Sequence, residues 1–224
     1  MKMMRRVGIS VVMIVISVSL ARGQDLSKYR NFSLGMSLPE LSNQVDLRPL
    51  QTKLIQKHPG VVQELACWPG GSSDHSRQAD SVWQIFFSFY NGELFRILVT
   101  YDQDATHGLT AEDMVQAIST KYGPATRPAG EISFPTNELY RSTEKIIARW
   151  EDSQYSINLV RSRFLNSFAL AMFSKRLDGE AEAAIAEAVE LERQKAPQTE
   201  VARMKKEADN LEAARQKNRK MFRP

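Results

Sequence analysis

The chain has 224 residues, with 30 Lys and Arg against 26 Asp and Glu, a single cysteine and a formal net charge of +4 at pH 7. One thiol excludes an internal disulfide, so the fold must be held by core burial, which a chain of this length achieves as one or two domains. The basic surplus sits entirely in residues 1–23, which carry four basic and no acidic residues; the remainder has 26 of each sign. That balance excludes the clustered cationic surplus expected of a nucleic-acid-binding domain.

The opening Met-Lys-Met-Met-Arg-Arg is followed by an uncharged run of 14 residues from Val7 to Leu20 and then by Ala21-Arg22-Gly23. A basic start, a short apolar run and a small-x-small site form the pattern of a cleaved secretory signal peptide over residues 1–23. A transmembrane helix needs about 20 apolar residues, so the run is short for one, and an uncleaved anchor is the alternative. The expected location is periplasmic or secreted, with no integral membrane span after cleavage. No cysteine follows the cleavage site to carry a lipid.

Residues 24–177 form the expected folded domain. Ser37 is placed to cap a helix over about 38–45, with Pro39 in its first turn and Glu40 three residues after Ser37 as in a capping box. Residues 46–58 are ambiguous. After the Pro59-Gly60 break, residues 61–67 form a strand ending at Cys67, a small buried hydrophobe. Residues 68–80 make a long polar loop.

Residues 82–101 are dense in apolar side chains and carry Asn91-Gly92 at their middle. A two-residue type I′ turn needs φ > 0 at both positions, which these two residues tolerate, so the spacing predicts a β-hairpin. Strict alternation puts Trp83, Ile85, Phe87, Phe89, Leu94 and Leu98 on one face. The other face takes Val82, Phe86, Phe95, Ile97, Val99 and Tyr101. A strand apolar on both sides is covered on both sides, so one face should meet helices and the other a second layer, a ligand or a partner. Trp83, Phe87 and Phe89 are therefore candidate partner-binding residues.

A second helix over 110–123 is capped by Thr110 with Asp113 three residues on, carries the stripe Met114, Ala117, Ile118 and Tyr122, and stops at Gly123-Pro124. A second hairpin over 145–160 places Ile146, Ala148, Trp150, Tyr155, Ile157 and Leu159 on one face and Arg149, Ser156 and Asn158 on the other. Residues 167–174 add a strand. Each half thus opens with a capped helix and continues with about three strands. The expected class is α+β: antiparallel sheet with two packed helices, read either as a duplicated α-β-β-β unit (30–101 and 108–175) or as a single sheet.

Phe32-Ser-Leu-Gly-Met-Ser-Leu-Pro-Glu-Leu41, together with Lys121-Tyr-Gly-Pro-Ala-Thr126 closing the later helix, resembles the small envelope modules of the β-lactamase inhibitory protein and outer-membrane assembly lipoprotein type. The resemblance implies helices packed on an antiparallel sheet and a non-catalytic protein-binding role. The absent lipid-bearing cysteine and the long C-terminal tail depart from that pattern.

Residues 178–224 form a charged helical tail: one helix over 178–195 with six acids before Arg193, a break or restart at Pro197, and a second helix from about 199 to 220. Val201, Met204, Ala208 and Leu211 form an apolar stripe shorter than a stable coiled coil requires. Arg215, Lys217, Arg219 and Lys220 make the end basic, a candidate contact for an anionic surface. The tail is either solvated or docked on the domain or a partner.

Catalytic and cofactor motifs are missing. His58, His75 and His107 belong to no zinc-binding pattern. The 102–113 loop places Asp102, Asp104 and Thr106 at alternating positions like a calcium loop, but has His107 at the required glycine and Asp113 at the twelfth position. Asn31-Phe32-Ser33 is a formal glycosylation acceptor. The expected function is a secreted or periplasmic non-catalytic binding module of the cell envelope, without cofactor or metal, whose partner is an envelope or secreted protein. The alternative is a hydrolase using the 68–80 loop around His75, where Ser72, Ser73, Asp74 and Ser76 lie alongside; sequence adjacency alone does not make a triad.

Overall fold

The computed structural model describes residues 24–44, 52–57, 59–69, 80–133, 143–161 and 167–223. The leader-like residues 1–23, His58 and the 70–79 loop with His75 lie outside them. The described chain is α+β, with an eight-stranded antiparallel sheet, a two-stranded ribbon and three helices.

The ribbon β1 (Lys28–Tyr29) and β2 (Phe32–Ser33) leads into α1 (Leu38–Gln44). The first helix begins as expected: Ser37 N donates to Glu40 Oε2 at 2.8 Å and Glu40 N donates back to Ser37 Oγ at 3.4 Å. Four strands follow, β3 (Thr52–Gln56), β4 (Val62–Cys67), β5 (Val82–Tyr90) and β6 (Glu93–Tyr101). Helix α2 (Ala111–Tyr122) then opens a second set, β7 (Glu131–Ser133), β8 (Thr143–Glu151), β9 (Tyr155–Arg161) and β10 (Phe168–Ser174). The strand order is β3-β4-β5-β6-β10-β9-β8-β7. Each helix is thus followed by a four-stranded meander, and the two meanders join where β6 pairs antiparallel with β10, Leu98 facing Ala171. The halves hold four strands rather than three. The extra strands, β3 and the three-residue β7, are at the sheet edges, where little apolar patterning marks them.

The central hairpin turns at Asn91 and Gly92, with φ of 49° and 88°. Its faces differ from strict alternation. Register shifts leave Trp83 and Phe95 as extra residues, because Val82 and Gln84 oppose Tyr101 and Thr100, while Ser88 and Phe89 oppose Arg96 and Leu94. One inserted residue reverses every side chain beyond it. Val82, Ile85, Phe87, Phe89, Leu94, Ile97 and Val99 consequently share one core, with Met114, Val115, Ile118 and Tyr122 of α2 and Leu41 of α1. Phe86, Leu98 and Phe95 turn to the opposite face. A third shift, at Ile147, moves Ile146 away from Ala148 and Trp150 to join Val160. On the polar face of the second hairpin Ser156 and Asn158 are buried and Arg149 is half-buried: Arg149 Nε donates to Asn158 Oδ1 at 2.7 Å, and Asn158 Nδ2 donates to Ser156 Oγ at 3.1 Å.

Phe32 packs edge-on against Phe87 with ring centroids 4.7 Å apart, so the segment before α1 also closes the main core. Each fully buried Phe, Leu or Ile in this layer contributes about 1.5–3 kcal/mol of burial. Cys67 is buried and free, and burial pushes its thiol up.

Helix α2 has the expected capping box: Asp113 N donates to Thr110 Oγ1 at 3.2 Å and Thr110 N donates to Asp113 Oδ2 at 2.8 Å. It ends at Gly123, φ 79°, whose carbonyl accepts from Trp150 Nε1 at 2.8 Å. The tail is one helix, α3 (Lys175–Met221), not two. Pro197 sits inside it; the good helix formers around it carry the helix through one missing backbone hydrogen bond, and Thr199 Oγ1 donates to Lys195 O at 3.1 Å. No described helix is long and apolar enough to cross a membrane.

Candidate functional site

Helix α3 departs from the sheet, and its contacts follow from its residues. Leu177, Ala181 and Ala184 fall on one helical stripe, small enough for the backbone to approach the sheet, and all three are buried. Leu177 and Ala181 pack with Val62 of β4 and Phe95 of β6, the bulged residue that faces this side. Gln56 Nε2 donates to Ala184 O at 3.0 Å, tying the helix to the edge strand β3.

A buried ion pair fixes the docking. Arg96 Nε and Nη2 both donate to Asp178 Oδ1, at 3.1 and 2.5 Å, and Glu182 Oε1 lies 3.6 Å from the same guanidinium. Arg96 belongs to a buried polar row crossing three strands, Glu64 opposite Ser88 and Ser88 opposite Arg96. Burial pushes the Asp178 carboxyl up, opposed by the Arg96 guanidinium. The Glu182 carboxyl is pushed up by burial and by the nearby Asp178.

Beyond these turns the helix leaves the domain. Every residue from Leu191 to Arg223 is exposed, including Val201, Met204 and Leu211. At 1.5 Å per residue the 47-residue helix spans about 70 Å, so more than half its length is a free arm. The arm is laced by its own pairs, Arg203 to Glu200 at 2.7 Å and to Glu207 at 3.3 Å, which support an isolated helix by a few tenths of a kcal/mol each. Acids and bases alternate along the apolar stripe, and only the end beyond Glu212 is purely basic.

The candidate partner-binding residues separate. Phe87 and Phe89 are 0% exposed in the core beneath α2, so they present nothing to a partner; the shape of the bulged hairpin and the helix above it close that face. Trp83, lifted out by its bulge, is 46% exposed. Arg215, Lys217, Arg219 and Lys220 lie on the exposed last turns of α3, with Arg215 3.6 Å from Glu212. The 102–109 loop is a tight turn closed by its own groups: Asp102 Oδ1 accepts from Ala105 N at 2.9 Å and Thr106 Oγ1 donates to Asp102 O at 2.7 Å. Among the described residues no three His, Cys, Asp or Glu converge as metal ligands.

The site that sequence reasoning missed is Arg96 with Asp178. An Arg amid β residues, followed much later by an Asp in the first turn of a helix, was the available signal. No protein-family model, curated protein or solved structure matches the chain.

Proposed function

We propose that this protein is a secreted or periplasmic, non-catalytic interaction module of the cell envelope, in which an α+β domain holds out a helical arm for another envelope component. The observation that carries this reading is the arm itself: about 30 consecutive helical residues, apolar along one stripe and purely basic beyond Glu212, exposed along their whole length on a helix whose root is locked to the sheet. A free helix of this kind buries its stripe only against a partner. The leader-like residues 1–23 support the location, and the resemblance at 32–41 and 121–126 supports the non-catalytic role. The basic residues 215–220 lie beyond the stripe and favour an anionic surface.

The test is site-specific photo-crosslinking in an envelope fraction, with the reactive group at Met204 and, as control, at Asp104. A discrete adduct from position 204 alone, abolished by Val201→Glu with Leu211→Glu, is expected. Identical patterns from both positions, or an adduct indifferent to the two glutamates, overturn the proposal.

A further inference from the structure

At the end of the sheet opposite the arm's root, α2 and the central strands leave a cavity of about 320 Å³. Its position follows from the sequence. Met114, Ala117, Ile118, Lys121 and Tyr122 recur at helical spacing and line one wall; Leu109 and Leu170 add apolar surface, and Tyr29 and Tyr101 complete it. The volume lies at the lower end of small-ligand sites, and the lining is what such sites use: a mostly apolar wall with a few polar groups.

The polar groups are grouped at the tyrosines. Arg30 is held by Asp80 through two bonds of 2.8 and 2.7 Å. Lys121 has no carboxylate partner within ion-pair distance among the described residues. Its Nζ lies 5.8 Å from the Tyr29 ring centroid and 5.0 Å from that of Tyr122. Lys121 stands at the exposed rim, where burial and the nearby Arg30 push its ammonium down against the pull of Asp25, and a further anion placed there would favour its charged form. The Tyr122 hydroxyl donates to Lys28 O at 2.8 Å, whereas no hydrogen-bond partner engages the Tyr101 hydroxyl among the described residues. The cavity therefore joins an apolar wall to one rim cation that forms no ion pair and one phenol that forms no hydrogen bond among the described residues.

We propose that this cavity binds a small amphiphilic carboxylate, a medium-chain or aryl acid, with its apolar body against Leu109, Met114, Ile118 and Leu170 and its carboxylate accepting from Lys121 Nζ and the Tyr101 hydroxyl. This site is independent of the arm. A larger depression of about 550 Å³ at the far sheet edge is less suited, because its Arg127 already pairs with Glu112.

Calorimetric titration of the full chain with octanoate and with 1-octanol tests the proposal. Octanoate is expected to saturate a single site at least about tenfold more tightly than 1-octanol, since the carboxylate adds charge-assisted hydrogen bonds. Lys121→Met should remove that preference while leaving 1-octanol unchanged, and Tyr101→Phe should weaken octanoate several-fold. Ala117→Phe, which fills the cavity from exposed helix surface, should block both ligands, with circular dichroism confirming that each variant is folded. Equal affinity for acid and alcohol, octanoate binding unchanged by Lys121→Met, or no saturable heat with either octanoate or 4-phenylbutyrate overturns the site.

Discussion

Arg96, in the middle of β6, donates twice to a single carboxylate oxygen of Asp178, in the first turn of α3, 82 residues further along the chain. Both side chains are nearly closed to solvent, so the pair must be read with its desolvation: two charges brought out of water are compensated only while both are present. Replacing Arg96 by Met leaves the Asp178 carboxyl buried without its main partner and is expected to cost about 3 kcal/mol. Asp178→Asn should cost less, because Glu182 lies 3.6 Å from Arg96. The double variant Arg96→Met, Asp178→Asn should recover part of the loss, because neither side chain then carries an unpaired charge. Urea unfolding of the four proteins, read as a double-mutant cycle, measures the coupling; purely additive losses would refute the pairing.

The turn at Asn91 offers a cleaner separation of backbone from side chain. Asn91 holds φ at 49° and its Oδ1 accepts from Val61 N at 3.0 Å, linking the hairpin turn to the start of β4. Asn91→Gly keeps the backbone conformation and loses the acceptor, about 1 kcal/mol. Asn91→Ala loses the acceptor and also forces an alanine into the left-handed region, adding about 1 kcal/mol more. Chemical denaturation should therefore rank wild type above Gly above Ala.

Pro197 lies in the free arm, so its effect should be local. Pro197→Ala restores a backbone donor and relieves a clash worth about 3 kcal/mol in a helix interior. Amides around residues 193–201 are expected to exchange with solvent at least about tenfold more slowly, as that local free energy implies. The urea midpoint of the domain should not move, because the exposed arm contributes no burial to it. A shift of the midpoint would show that the arm docks on the domain in solution.

Acid should weaken the N-terminal closure of the domain. The hydrogen bond from Arg30 holds the Asp80 carboxyl below the ordinary value of 3.8, with the Val82 amide assisting and burial opposing. A depressed carboxyl contributes stability that is present above its unfolded value and is lost as pH falls through the folded one. The urea midpoint should thus decline as pH falls below the ordinary value of 3.8, and Asp80→Asn should flatten part of that decline. At the alkaline end, burial pushes the phenols of Tyr29, Tyr101 and Tyr122 up. At least three of the six tyrosines should therefore fail to ionise near pH 10 in a spectrophotometric titration.

Local chemistry determined much of this protein before any tertiary contact was known. Asn91-Gly92 specified the turn, Ser37 with Glu40 and Thr110 with Asp113 specified two helix starts, and Gly123 specified an end, because each acts within a few residues of itself. The α+β class and the helix-then-strands repetition followed from hydrophobic period. What only the tertiary structure decided is which way the hairpin residues point and where α3 stops being part of the domain. The bulges at Trp83, Phe95 and Ile147 arise from pairing with a neighbouring strand, and each reverses the alternation that a single strand suggests, burying Phe87 and Phe89 with Ile97 and Val99 under α2. The docking of α3 depends on a cation 82 residues earlier in the chain, and the cavity beside Lys121 on four segments meeting. Such contacts are set by three-dimensional proximity, and a linear pattern of residue types carries no record of it.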